Sequence, residues 1–210
     1  MIKRGWIERN RILKAELNLN GKDRWMYIKV PLKSHSFDTI IKDIEINNEI
    51  DWRDKIFKDL LHYKKKSPFY NETIEVVKKS LDISTNSIVD INKSALLNVC
   101  DYLGLTINLG IFTQMNIIIP EVKAPDEWAL YACKALGFDE YVNPPGGIEI
   151  YDTKKYKAQN ISIKFLKCNL PFYSQRRGPE NFENGLSIID VMMFNSPDRI
   201  MEMLDDYTFI

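Results

Sequence analysis

Histidine is scarce in this 210-residue chain, at two residues, and cysteine is hardly commoner at three. His35 and His62 stand far apart with no cysteine near either, so the clustered ligand spacing of a transition-metal site is missing. No metal site and no cofactor is expected. Cys100, Cys133 and Cys168 are odd in number and lack C-x-x-C spacing, which excludes a disulfide framework and fits reduced thiols. Cys100 and Cys133 fall in apolar helical patterns, where cysteine behaves as a small core residue. Charge of one sign is missing as well: Lys plus Arg and Asp plus Glu number 29 each. The chain therefore lacks the basic footprint of a nucleic-acid binder, and no nucleic-acid partner is expected. Its densest basic run, Lys64-Lys65-Lys66, reads as a solvated helix end suited to the negative pole of the helix dipole. No apolar run approaches the ~20 residues needed to span a bilayer, so no membrane span is expected. The opening Met1–Trp6 lacks the apolar stretch of a secretory signal. These absences describe a soluble, cytoplasmic protein.

What is present belongs to an ordinary globular chain of mixed α/β class. Ile12 to Leu19 alternates, Asn20-Gly21 follows, and Trp25–Val30 is rich in strand formers, which together predict an N-terminal β-hairpin. Pro31 ends the second strand, and Ile40 to Ile46 reads as a further short one. Central helices come next. Asp51 precedes Trp52, Ile56, Phe57, Leu60 and Leu61 at helical spacing, and Ser67-Pro68 stops that helix. Asn71 is placed to cap a second helix carrying Ile74, Val77 and Leu81. A third spans about Ser87 to Leu103, with Ile88, Ile91, Leu96, Val99 and Leu103 inward and Gly104 at its end. Residues 105–120 are expected to be extended, with Ile117-Ile118-Ile119 as a buried strand. Pro125-Asp126-Glu127 opens a helix that closes at Gly137. Tyr141–Gly147 is expected to be irregular, Ile161–Phe165 a strand, and Leu186–Phe194 and Ser196–Leu204 two closing helices. With no internal repeat, linker or low-complexity tract, one compact domain over 1–210 is expected.

Four stretches can carry chemistry. In Asn143-Pro144-Pro145-Gly146-Gly147 two prolines stiffen the chain, while two glycines permit positive φ or the approach of a ligand to bare backbone. Asn143 offers an amide and Tyr151 a hydroxyl. A tight structural turn explains the same residues without a ligand, and the G-x-G-x-x-G spacing of a nucleotide site is absent. Near the start, Arg4, Trp6, Arg9, Asn10 and Arg11 combine guanidinium groups, an indole and an amide. That set suits a phosphate or carboxylate, with the indole against a sugar or base. On an extended strand Arg9 and Arg11 share a face, and a solvated, ion-paired strand face is the alternative. Lys33, His35, His62 and Tyr63 form a third set. His62 falls late in a helix, where the dipole favours a protonated imidazole. Finally, Tyr173-Ser174-Gln175 precedes Ser187 and Asp190, whose Ser-x-x-Asp spacing resembles a capping box. The same helix start can present N–H groups to an anion. No G-x-S-x-G elbow surrounds Ser187, which argues against a hydrolase.

Taken in order, these stretches resemble the WbqC-like protein family. The carrying segments are IKRGWIERNRIL at 2–13, YIKVPLK at 27–33, WRDKIFKDLLHYKKKSPFY at 52–70, YVNPPGGIEIYD at 141–152, ISIKFLKCN at 161–169 and LSIIDVMMFNSPDRIMEML at 186–204. Members of that family usually begin with a further stretch holding a strand and a Pro/Tyr/Phe-rich loop. The resemblance therefore implies that this chain is short at its N-terminus, and Glu8 and Pro145 depart from the commonest residues. It also implies a role in surface-polysaccharide (O-antigen) biosynthesis.

Two functions follow from that resemblance. The first is a transferase that modifies a nucleotide-linked amino sugar by glycyl or aminoacyl transfer. In it, Arg9 and Arg11 neutralise phosphate, Gly146 and Gly147 admit the sugar, and His62 or His35 acts as base. The alternative is a non-catalytic binding or scaffold subunit of a polysaccharide assembly complex. The first requires the early arginines and the diglycine segment to meet at one cavity. The oligomeric state has no signal in the sequence.

Overall fold

A computed structural model describes residues 9–15, 24–36, 38–169 and 171–210. The chain is a mixed α/β protein, with seven α-helices and two small sheets among the described residues. Its contacts gather into two compact units. The larger takes the described residues within Ile2–Asn108 and Leu170–Met203, and the smaller holds Leu109–Asn169 with Leu204–Ile210.

In the larger unit, strand β1 (Arg9–Leu13) pairs antiparallel with β2 (Trp25–Lys29), setting Arg11 opposite Tyr27 and Leu13 opposite Trp25. The ladder is the expected hairpin pair, but it starts earlier than Ile12, and Lys14 and Ala15 lie beyond it. The Asn20-Gly21 turn lies outside the described residues. Ile12 and Leu13 are both buried, so the strand end is packed on both faces rather than alternating. The strand expected at Ile40–Ile46 is instead a 3-10 turn at Ile41–Asp43 followed by single bridges from Ile46 to Leu32 and Glu45 to Ser87.

Helix α1 (Trp52–Leu60) begins where Asp51 accepts the Asp54 N–H, and buries Trp52, Ile56 and Leu60 at four-residue spacing. A 3-10 turn, Leu61–Lys65, extends it. Helix α2 (Tyr70–Leu81) takes Phe69 rather than Asn71 at its cap position; Asn71 is exposed in the first turn. Helix α3 (Ile88–Tyr102) ends at Leu103, and Gly104 follows at φ +71°, the left-handed conformation that glycine adopts without a Cβ clash. Ile88 and Ile91 are buried, whereas Leu96 is 46% exposed, against expectation. The face of α3 turned inward runs through Ile91, Ala95 and Val99, and Leu96 sits about 100° around the helix from Ala95.

In the smaller unit, α4 (Glu127–Leu136) closes at Gly137, φ +74°. Strand β3 (Glu140–Asn143), helix α5 (Thr153–Ala158) and strand β4 (Ser162–Cys168) follow, and β5 (Tyr207–Phe209) completes a sheet ordered β3-β4-β5. β3 runs parallel to β4 and β5 antiparallel. Leu130, Cys133, Tyr156 and Ile161 form this unit's core. Tyr141–Asn143, expected to be irregular, is strand, because β4 offers a ladder; irregularity starts at Pro144, which has no N–H to donate. The strand expected at Ile117–Ile119 is absent. That run meets no neighbouring ladder, and Ile118 is 93% exposed.

Helices α6 (Ile188–Phe194) and α7 (Pro197–Leu204) stand where the sequence placed them. Met192 and Ile200 pack with Val76 and Leu103, and Met193 with the main core. Alanine at Ile91 is expected to cost about 2–5 kcal/mol in urea melts, while alanine at Leu96 stays within about 0.5 kcal/mol.

Candidate functional site

The centre of the larger unit holds a carboxylate. Asp190, in the first turn of α6, has no exposed surface. It accepts hydrogen bonds from the hydroxyls of Tyr63 and Tyr173 (the latter at 2.6 Å) and, at 3.4 Å, from Gln175 Nε2. Tyr63 in turn accepts the Leu13 N–H at 2.9 Å, which ties β1 to the same group. Gln175 is clamped to the backbone of Glu183 by both ends of its amide, at 2.7 and 2.9 Å. Glu183 pairs with Arg11 at 3.2 Å, and the Arg11 guanidinium lies 4.1 Å over the Trp25 ring. Arg177 donates to the Lys14 carbonyl, and its charge acts on Asp190 and Tyr63.

Burial raises the Asp190 carboxyl above the ordinary range; the two tyrosines, Arg177 and Gln175 oppose that rise without cancelling it. Burial, then the charge of Asp190, raises both tyrosine hydroxyls, so each remains a donor. His62 lies beside this network, its ring 4.2 Å from that of Tyr63. Its Nδ1 is 2.8 Å from the Asp59 carbonyl, which only accepts, so the proton resides on Nδ1. The other nitrogen, Nε2, is buried, directed at the Leu13 backbone, and has no partner of hydrogen-bonding geometry. The helix dipole was expected to favour the charged imidazole. Burial instead lowers the pKa, with Arg177 and Lys66 adding to the effect, and outweighs the backbone groups of Asp59 and Leu13, which favour the charged form. Arg11 Nε and Arg177 Nη1 are likewise buried without a partner.

Several residues singled out in the sequence therefore meet here: Asn10, Arg11, His62, Gln175, Ser187 and Asp190. Ser187 caps α6 by accepting the Ile189 N–H and donates its hydroxyl to Asn10 Oδ1 at 2.9 Å. Asp190 does not complete the capping box, because its carboxylate turns inward to the tyrosines and the Ser187 N–H goes to the Arg11 carbonyl. Arg9 contributes its backbone to β1, opposite Lys29. Arg4 and Trp6 lie outside the described residues. Lys33 is exposed and paired with Glu45 at 2.7 Å, and His35 is exposed with Nδ1 2.8 Å from the Lys33 carbonyl.

Asn143, Gly146, Gly147 and Tyr151 belong to the smaller unit, and Arg11 to the larger. There Tyr141 donates to Asn143 Oδ1 at 2.9 Å and lies 3.5 Å from the Tyr151 hydroxyl. Gly147 has φ +96°, and a Cβ would meet Ile150 Cδ1 at 3.2 Å; Gly146 has open space instead. Only one of the two glycines is therefore demanded by the backbone. Arg177 and Glu183 went unnoticed in the sequence. They sit in the irregular run Gln175–Gly185, where no periodicity points a side chain anywhere.

A buried carboxylate flanked by tyrosine donors, guanidinium groups and a neutral imidazole defines a polar site inside an α/β protein. The chain belongs to the WbqC-like protein family, whose model matches residues 1–202. No curated protein and no solved structure matches it. Among the described residues, no helix is long and apolar enough to cross a membrane, and no group of three or more His, Cys, Asp or Glu is placed to hold a metal.

Because the folded pKa of Asp190 is raised, its contribution to stability is complete below about pH 4 and is lost as pH rises through the folded value. Asp190→Asn should flatten that part of a stability-versus-pH curve from urea melts, and an unchanged slope would refute the assignment. In the smaller unit, Gly147→Ala should cost about 1–2 kcal/mol and Gly146→Ala under about 0.5 kcal/mol, read by thermal melts.

Proposed function

We propose that this chain is a transferase of surface-polysaccharide (O-antigen) biosynthesis that modifies a nucleotide-linked amino sugar by glycyl or aminoacyl transfer. Family membership supports the pathway. The observation that carries the chemistry is His62, a neutral imidazole with a bare Nε2 in a buried site that also holds two guanidinium groups with free nitrogens. Such a nitrogen is a general base near neutral pH. In the reaction, the sugar amine attacks the carbonyl carbon of an activated glycine. The C–N bond forms as the bond to the leaving group breaks, and His62 takes the proton that the amine sheds. Arg11 and Arg177 supply the positive field for the diphosphate, with Asn10 at the edge of the site. Exposed and engaged with the Lys33 carbonyl, His35 is the lesser base. The family match runs through both units, which supports treating 1–210 as one functional domain.

The test is incubation with nucleotide-linked amino sugars and an activated glycine, read by mass spectrometry. A product heavier by one glycyl group is expected, formed about 10²–10⁴-fold more slowly by His62→Ala. No product from any nucleotide-linked amino sugar would overturn the transferase and favour a binding or scaffold subunit.

A further inference from the structure

The larger unit contains a second feature, which shares only Asn10 with the polar site: a chamber of about 110 Å³ enclosed by β2, α1, α2, α3 and α6. Its wall is aliphatic. Ile28 and Val30 come from the β2 side, Val77 from α2, Ala95 and Val99 from α3, and Met192 from α6. The hydroxyl of Ser80, which also lines it, is spent on the Val76 carbonyl at 2.7 Å. Ile28, Val30, Val77 and Met192 are buried, while Asn10 is exposed and Asn92 is half-buried together with Ala95 and Val99, so the open side of the chamber carries two carboxamides beside aliphatic groups. Lys29 lines the chamber between Ile28 and Val30, and the strand's alternation turns its side chain to the opposite face, where its ammonium lies 5.8 Å over Tyr27. Among the described residues, the polar groups at the mouth are therefore uncharged.

We propose that this chamber is a binding site for a short aliphatic acyl chain, with the acyl carbonyl held at the mouth by the amide groups of Asn10 and Asn92. Three observations carry it. First, an aliphatic wall without free polar groups keeps a cavity dry and receptive to an apolar guest. Second, a cavity of 150 Å³ takes benzene, so the 110 Å³ here suits a tail of about four carbons. Third, Asn10 spends its Oδ1 on the Ser187 hydroxyl, which turns its Nδ2 toward donation. A carbonyl accepts from such donors, whereas a carboxylate would find no cation among the described residues of this mouth. The site goes beyond the transfer chemistry above and stands without it. The two features meet at α6, where Ile188 and Ile189 line the chamber and Asp190 turns to the tyrosines.

The experiment is an NMR titration of the full chain with straight-chain primary carboxamides from propanamide to octanamide. Each added methylene is expected to tighten Kd about fourfold as far as pentanamide, and octanamide to bind more weakly. Ala95→Leu fills the chamber and should abolish binding. Asn92→Ala should weaken every member about tenfold or less without moving the preferred length. If Ala95→Leu does not fold, Ala95→Val shortens the preferred chain by about one carbon. The proposal is overturned if no carboxamide binds, or if affinity climbs steadily through octanamide, which marks adsorption to surface. It is equally overturned if the alanine 95 variants bind as the unsubstituted protein does. Neither result touches the glycyl-transfer assay, so the two readings fail separately.

Discussion

A carboxylate cut off from water must be surrounded by donors or lose its charge, and Asp190 is surrounded from three directions. Tyr63 reaches it from the turn after α1, and Tyr173 and Gln175 from the irregular segment before α6. The consequences spread outward from that point. The Tyr63 hydroxyl is held so that it also satisfies the Leu13 N–H, which fixes the end of β1. Gln175 is held so that both ends of its amide grip Glu183, and Glu183 then fixes Arg11 over Trp25. One buried carboxylate thus ties together a strand end, a turn and a loop.

The same arrangement explains why the site carries unspent chemistry. Tyr63 packs against His62, and the imidazole anchors its Nδ1 on a carbonyl at the end of α1, where the helix leaves acceptors unmatched. The basic nitrogen is left facing inward, and burial keeps it neutral. Arg177 compensates the negative charge of Asp190 without contacting it directly, and one of its nitrogens remains bare. A site that holds charge in balance and leaves donor and acceptor atoms unfilled is suited to a polar substrate.

Where periodicity governs, the sequence was readable. Helix α1 with its Asp51 cap, the end of α3 at Gly104, the end of α4 at Gly137, and the pair α6 and α7 all follow from apolar spacing and end signals. Errors arose where tertiary pairing decides. Tyr141–Asn143 became a strand because β4 lies beside it, and Ile117–Ile119 did not because nothing does. Leu96, expected inward with the other apolar residues of α3, faces outward because the packed face passes through Ala95. At the site, Asp190 was read as half of a capping box, a role that its spacing fits and its rotamer declines. Arg177 and Glu183 lie in a segment with no repeat, so only the three-dimensional network assigns them partners.

Tyr63 and Tyr173 share one acceptor at the centre of the site, and a double-mutant cycle on stability measures that sharing directly. Urea melts of Tyr63→Phe, Tyr173→Phe and the double variant should show a coupling energy of about 0.5–3 kcal/mol. Effects that simply add, with each single change within about 0.5 kcal/mol, would contradict a carboxylate held jointly by the two hydroxyls.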